Sequence, residues 1–302
     1  MTDAATRQTT QGVLCGVGAY LVWGFTPAYW KLLQQYGPLE LLGHRILWSL
    51  VVGLVLVTAS RGFGECLRVL RTPQRSVPVL LAALLLATNW LIFLYAVMDG
   101  QVLATSLGYY LNPLVNVVLG FFVLGERLRP LQWLSVGCAV VGVSYYLFAL
   151  GSLPWIAVLL AVSFGLYGLI RKRAAVAPVT GFGVEMAFLS VPAVGFLLWQ
   201  RAEGGASLPA GDWTTDAIVA ASGLVTAVPL LLFNAAAKRL PLITVGILQY
   251  IAPTIGFLLA VLVFGEPFDS VHVWTFGWVW TGLVLFTLAS WSAARRSSQP
   301  EG

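Results

Sequence analysis

The stretch SLGYYLNPLVNVVLGFFVLGE, residues 106–126, decides the fold, because the chain repeats its pattern as GILQYIAPTIGFLLAVLVFGE, residues 246–266. The displacement is 140 residues without a gap, and it aligns Tyr110 with Tyr250, Pro113 with Pro253, Leu119 with Leu259, Val123 with Val263, Gly125 with Gly265 and Glu126 with Glu266. Beyond the quoted stretches, Gly137 and Gly142 recur as Gly277 and Gly282. Such a duplication inside apolar segments indicates a membrane protein built from two related halves.

The composition also indicates a membrane protein. Of 302 residues, 59% are hydrophobic and 10% charged, too little polar surface to cover a water-soluble globule of this size. Runs such as VPVLLAALLLATNWLIFLYAV, residues 77–97, are apolar on every face, unlike the alternating strands of an outer-membrane barrel. Ten runs are long enough for a hydrocarbon core of about 30 Å, approximately 12–33, 39–60, 78–98, 101–124, 131–149, 154–170, 180–200, 215–237, 242–264 and 273–292. The sequence predicts an all-α polytopic membrane protein with ten transmembrane helices.

Basic residues are distributed unequally over the predicted loops, and this bias sets the orientation of the chain. With the N-terminus inside, 14 of the 17 Lys and Arg residues fall on the cytoplasmic side: Arg7, Arg61, Arg68, Arg71, Arg75, Arg127, Arg129, Arg171, Lys172, Arg173, Lys238, Arg239, Arg295 and Arg296. We therefore expect both termini on the cytoplasmic side of a bacterial-type cytoplasmic (inner) membrane. The net charge of +5 then fits a solvated face against anionic lipid and needs no nucleic-acid partner.

The repeated unit contains five predicted helices. The sequence thus divides into a cytoplasmic tail at 1–11, repeats at 12–149 and 154–292, and a second cytoplasmic tail at 293–302. An odd number of crossings makes the second copy enter the membrane from the opposite side. We expect two inverted five-helix repeats around a central cavity, an arrangement typical of secondary transporters.

Two prolines within predicted helices, Pro113 and Pro253, occupy matching positions in the repeats. Each removes a backbone donor and frees the carbonyl four residues earlier, which must find another partner within the bilayer. Interrupted helices in matching positions of two halves point to a substrate site. The predicted cavity-lining residues are Asn89, Trp90, Tyr109, Tyr110, Asn112, Pro113, Asn116, Gln249, Tyr250 and Pro253. For the asparagines, contact with a solute and hydrogen bonds between helices both stay open.

Three ionisable residues lie within predicted spans: His44, Arg45 and Glu185. Arg45 and Glu185 match through the repeat, and charged residues in spans usually mark a pathway or an ion pair. Their depths differ by roughly 10 to 15 Å at a rise of about 1.5 Å per residue, which argues against direct contact and favours opposite vestibules. Snorkelling to the outer interface is the alternative for Arg45. His44 and Glu185 are the candidates for coupling to a proton.

Three classes of function fit these features. The first is a secondary transporter, a permease or exporter, that moves a small amphiphilic metabolite or drug by alternating access. The second is a membrane protein that binds a ligand or partner without transport. The third, an intramembrane enzyme, has the least support, because the sequence holds two His and neither an HExxH nor a GxSxG motif. A GxxxxGK[ST] loop is also absent from the sequence, and we expect no catalytic residues, cofactor or metal.

A resemblance to a known family extends over nearly the whole chain. It rests on HRILWS at 44–49, NWLIFLYAV at 89–97, SLGYYLNPLVNVVLG at 106–120, GERLRPLQW at 125–133, SFGLYGLIRK at 163–172, TAVPLLLF at 226–233 and LQYIAPT at 248–254. These segments resemble the RarD-type chloramphenicol-sensitivity permeases of the EamA branch of the drug/metabolite transporter superfamily. That family has ten helices in two inverted five-helix halves around a central cavity. The resemblance therefore implies a carrier of the cytoplasmic membrane, and it assigns no substrate-binding residue.

Overall fold

The computed structural model describes residues 3–125, 130–174, 176–205, 208–209, 211–237, 239–240 and 248–297. Their helices are α1 (Asp3–Lys31), α2 (Pro38–Ala59), α3 (Phe63–Arg71), α4 (Pro73–Met98), α5 (Val102–Leu124), α6 (Pro130–Leu150), α7 (Trp155–Arg173), α8 (Pro178–Ala202), α9 (Trp213–Ala237), α10 (Ile251–Leu258) and α11 (Ser270–Ser297). A π-helical turn, Leu259–Val263, continues α10. The part of the chain that the structure describes contains no strand.

Eight of the described helices are long and apolar enough to cross a membrane: α1 from Gln8 onward, α2, α4, α5, α6, α8, α9 and α11. Two further apolar helices, Trp155–Arg171 and Ile251–Val263, are shorter. Helices suit this environment because they satisfy every backbone polar group within the segment. The prediction of an all-α polytopic membrane protein is confirmed.

The boundaries follow the apolar runs with a few differences. α1 begins at Asp3, well before the predicted start at 12, because the helix continues through the polar residues ahead of the apolar run. The start of the ninth predicted span, residues 242–247, lies outside the described residues.

The short helix α3 was not predicted, because it has nine residues and no apolar run. It is amphipathic. On one face, Val69 packs with Val79 of α4 and Val184 of α8. Glu65, one turn before Val69, is partly exposed and pairs with Arg68 and Arg75, each at 2.9 Å. α3 therefore connects α2 to α4 with its charged face toward solvent.

Helices of the first predicted repeat pack mainly on helices of the second. α1 contacts α9 and α10, α2 contacts α8 and α9, α4 contacts α7 and α8, α5 contacts α7 and α10, and α6 contacts α11. One buried hydrophobic cluster joins these helices, with Trp30, Leu94, Leu160 and Phe276 among its members. The core of the molecule thus lies between the two predicted repeats.

Two glycines mark the closest approach of α6 and α11. A Cβ atom added at Gly142 would lie 2.9 Å from the backbone oxygen of Thr275, and one added at Gly282 would lie 2.7 Å from that of Ser135. Small residues of this kind let helix backbones meet in lipid. Gly142 and Gly282 are 140 residues apart, and so are Ser135 and Thr275. The two contacts are therefore reciprocal under the repeat.

Candidate functional site

Arg45 of α2 is buried, with 8% of its surface exposed, and aromatic rings surround it. Its guanidinium carbon lies 4.0 Å from the centroid of the Trp90 ring and 5.4 Å from that of Trp30, and the faces of such rings attract a cation. The Nε atom donates a hydrogen bond to Thr226 Oγ1 at 3.1 Å. We call Arg45, Trp30, Trp90 and Thr226 the arginine cluster. The burial of Arg45 does not fit a side chain that snorkels to the membrane interface.

Four helices assemble this cluster: α1 supplies Trp30, α2 supplies Arg45, α4 supplies Trp90 and α9 supplies Thr226. α2 and α9 approach closely at Gly223, where an added Cβ would lie 2.4 Å from the backbone oxygen of Trp48. Thr226 is three residues further on, on the same side of α9. Its hydroxyl donates to Ser222 O at 2.9 Å and so presents an oxygen lone pair to Arg45.

The charge of Arg45 has no carboxylate partner among the described residues. Three described carboxylates are buried, those of Glu40, Glu185 and Glu266. Each of them contacts groups other than Arg45. Glu40 Oε1 accepts a hydrogen bond from Leu208 N at 2.8 Å. Glu266 accepts from the first two amides of α5, those of Val102 and Leu103, each at 2.7 Å. Glu266 lies outside the membrane-spanning segments, and burial raises the pKa of its carboxyl against the opposing effect of these amides.

Glu185 of α8 lies in a separate cluster. Its Oε1 is 3.2 Å from Arg171 Nε, with 1% and 16% of the two side chains exposed. The Tyr167 hydroxyl, on the same helix as Arg171, lies 3.5 Å from Glu185 Oε2. Arg45 and Glu185 are therefore not in contact, as the depth argument expected. The buried ion pair of Glu185 and Arg171 was missed, because Arg171 was counted with the basic residues of a loop.

The repeat-related tyrosines Tyr110 and Tyr250 meet where α5 packs on α10, with ring centroids 6.4 Å apart. Tyr110 OH shares a hydrogen bond of 2.7 Å with Thr254 Oγ1, and the Tyr110 ring makes T-shaped contacts with the rings of Phe276 and Trp280. Both tyrosines thus belong to an aromatic contact between α5, α10 and α11.

The asparagines occupy different environments. Asn89 is buried and donates through Nδ2 to Leu160 O and Ser163 Oγ, both at 3.0 Å, so it links α4 to α7. Asn112 is also buried, and its Oδ1 has no hydrogen-bond partner in the structure. Asn116 is exposed. Of these, Asn112 retains an acceptor for a ligand.

The remaining predicted residues differ in their burial and their neighbours. Tyr109 is a close electrostatic neighbour of Arg45, and its ring packs 6.0 Å from that of Phe93. Pro113 and Pro253 are buried, whereas Gln249 and His44 are half-buried. The sequence reasoning did not find Thr226, whose only signal is a hydroxyl among apolar residues of a span.

Outside this cluster, a surface depression of about 180 Å³ is lined by Gln101, Tyr146, Trp155, His272, Phe276 and neighbouring residues. The described residues hold no group of three or more His, Cys, Asp or Glu side chains that could bind a metal ion.

Long apolar helices packed around buried polar side chains define a multi-pass membrane protein. The chain matches the EamA-like transporter family twice, over residues 10–148 and 153–288. The chain belongs to this family of membrane transporters.

Relatives cover nearly the full length. An uncharacterized transporter of Pseudomonas aeruginosa is 44% identical over 98% of this chain and 99% of its own. Protein RarD of Escherichia coli is 42% identical over 97% of this chain and 99% of its own. A crystal structure of a protein that is 22% identical shares the fold with a TM-score of 0.57, over 96% of this chain and 99% of that one.

Proposed function

We propose that this chain is a secondary transporter that moves a small amphiphilic metabolite or drug across the cytoplasmic membrane by alternating access. In this proposal α7 and α10 complete a set of ten crossings, and two inverted five-helix repeats enclose a central cavity. α1, α2, α4, α5 and α6 then correspond to α7, α8, α9, α10 and α11. The termini and α3 lie on the cytoplasmic side, where Lys and Arg concentrate.

The reciprocal contacts of α6 and α11 are the observation that carries this proposal. Gly142 meets Thr275 as Gly282 meets Ser135, a reciprocity that supports a two-fold relation between equivalent surfaces. The helix partners follow the same rule: α1 packs on α9 and α10, and its counterpart α7 packs on α4 and α5. The double match to the family model supports the same division. Inverted repeats let one half rock against the other around a fixed site.

The proposed site lies between the halves and comprises the arginine cluster with Tyr109, Asn112 and Gln249. A counterflow assay tests transport: vesicles preloaded with an unlabelled solute from a metabolite library should accelerate entry of the same labelled solute. A protein that binds without transport would show no acceleration. A proton-coupled carrier should lose its pH dependence in His44→Ala or Glu185→Gln, and a pH dependence that survives both changes would remove these residues as coupling groups.

The cavity itself is tested by Asn112→Leu and Gln249→Leu, which should lower counterflow while the protein still inserts in the membrane. Thr281→Leu provides the control, because Thr281 is exposed on α11 and its hydroxyl bonds only to its own helix. Unchanged counterflow in both test variants would remove Asn112 and Gln249 from the site.

A further inference from the structure

We propose that the transported solute is an organic anion, a small carboxylate with an apolar and preferably aromatic body, and that Arg45 binds its carboxylate. The inference rests on the proposed transport function in one respect, because it takes the ligand that binds to be the solute that is transported. Binding itself is a separate property of the arginine cluster.

Arg45 lacks a countercharge among the described residues. A buried cation in a membrane protein costs free energy unless an anion or a set of acceptors compensates it. Arg45 has one hydroxyl acceptor, Thr226 Oγ1, and no carboxylate partner among the described residues. At the matching position of the second half, Glu185 has Arg171 as its ion-pair partner. A ligand carboxylate would supply to Arg45 what Arg171 supplies to Glu185.

The geometry of the Arg45 guanidinium also favours a carboxylate. Trp90 lies 4.0 Å from its central carbon and so occupies a face of the planar group, while Nε is used by Thr226. The two Nη atoms of Arg45 make no hydrogen bond to any described residue. Neither of them is among the fully buried polar atoms that lack a hydrogen-bond partner. Parallel N–H groups on a stacked guanidinium are suited to bind both oxygens of one carboxylate.

Trp30 provides an independent donor beside the cation. Trp30 is 1% exposed, its ring lies 5.4 Å from the guanidinium carbon, and its Nε1 has no hydrogen-bond partner in the structure. An indole nitrogen can only donate, and a buried donor without an acceptor is costly. The cluster therefore offers unused donors and a positive charge, which favours an anionic ligand and opposes a cationic one. Aromatic walls from Trp30, Trp90 and Tyr109 favour an apolar body.

Matched acids and amides test the charge requirement. The full-length protein in an uncharged detergent is titrated calorimetrically at pH 7 with benzoate, phenylacetate and 3-phenylpropionate, and with the carboxamide of each. At least one acid should bind about tenfold or more tightly than its amide, because a hydrogen bond to a charged group is the stronger kind. Equal affinity of every acid and its amide, or binding of none of the acids, would overturn the proposal.

Variants then assign the charge to Arg45. Arg45→Gln should weaken binding of the acid about tenfold or more and leave the amide unchanged, whereas Arg201→Gln, at an exposed position of α8, should change neither. If Arg45→Gln does not fold, Trp30→Phe removes only the indole donor and should weaken the acid selectively. Acid binding that survives in Arg45→Gln, or in Trp30→Phe where that variant replaces it, would overturn the proposal.

Three further results separate this inference from its alternatives. Phosphatidylglycerol could stabilise the protein against thermal unfolding in a way that depends on Arg45, while none of the acids does. That result would assign the site to a lipid headgroup and overturn the solute proposal. Counterflow of a neutral solute that is unchanged in Arg45→Gln would keep the transporter and overturn the anion site. Arg45-dependent acid binding without counterflow would keep the anion site and remove the transport function.

Discussion

Positions 45 and 185 are related by the 140-residue displacement, yet the two halves use them differently. Arg45 is surrounded by Trp30, Trp90 and Thr226 and has no carboxylate partner in the described chain. Glu185 is held by Arg171 at 3.2 Å. Equivalent positions of the proposed repeats thus carry a charge that is compensated inside the protein in one half and that we propose to be compensated by a ligand in the other. Stability should depend on Glu185, and binding should depend on Arg45.

The largest effect on stability is expected from Glu185→Leu. Removing one member of a buried ion pair leaves the other charge without compensation, and we expect a loss of about 3 kcal/mol, measured by thermal unfolding in detergent. Replacing both residues, by Arg171→Met with Glu185→Leu, should recover most of it. Glu65→Leu is the control: the Glu65 pairs are solvent-exposed and should contribute less than about 1 kcal/mol. An equally small loss of stability in Glu185→Leu would contradict the conclusion that the Glu185–Arg171 pair stabilises the fold.

A smaller effect is expected from Gly181→Ala on the same helix. A Cβ atom at Gly181 would lie 2.1 Å from Arg171 Nη1, so the guanidinium that pairs with Glu185 must shift. We expect a loss of about 1 to 2 kcal/mol, the range for overpacking. Gly195→Ala is the matched change on α8, where nothing lies within 4 Å of the added atom, and it should be neutral or slightly stabilising. Identical behaviour of the two variants would mean that Arg171 is not held in place.

The smallest effect is expected from Arg45→Gln in the protein without ligand. The change removes a cation–π contact and one hydrogen bond, but it also removes a charge that is costly to bury, so the net change should stay within about 1 kcal/mol. Thermal unfolding with and without a binding aromatic acid sharpens the comparison, since the acid should stabilise the wild type and not this variant. A loss near that of Glu185→Leu would show that Arg45 has a structural partner after all.

Much of the fold could be read from the sequence, because lipid forces each crossing to be a continuous apolar helix. The run at 39–60, for example, became α2, Pro38–Ala59. What the sequence reasoning did not find depends on three-dimensional contact. α3 has a buried face only because Val69 meets α4 and α8. The π-helical turn after α10 is as apolar as the rest of its span, so its sequence does not distinguish it from an α-helix.

The site was harder to predict from the sequence than the fold. Arg45, Trp90 and Glu185 stood out as polar or aromatic side chains in spans, but their partners did not. Thr226 reaches Arg45 because α2 and α9 approach closely at Gly223. The two residues are 181 positions apart in the chain, so the spacing of residues in the sequence does not predict their contact. Asn89 shows the converse, because an amide that resembles a ligand-binding group is used to link two helices.

The opposed orientation of the two halves is the claim on which the comparison depends, and labelling of two equivalent loop positions tests it most directly. Cys15, Cys66 and Cys138 are replaced by Ala, single cysteines are introduced by Arg127→Cys and Pro267→Cys, and intact cells are treated with a membrane-impermeant maleimide. The account predicts that position 267 reacts from outside and that position 127 reacts only after the membrane is opened. Reaction of both positions from the same side would contradict it.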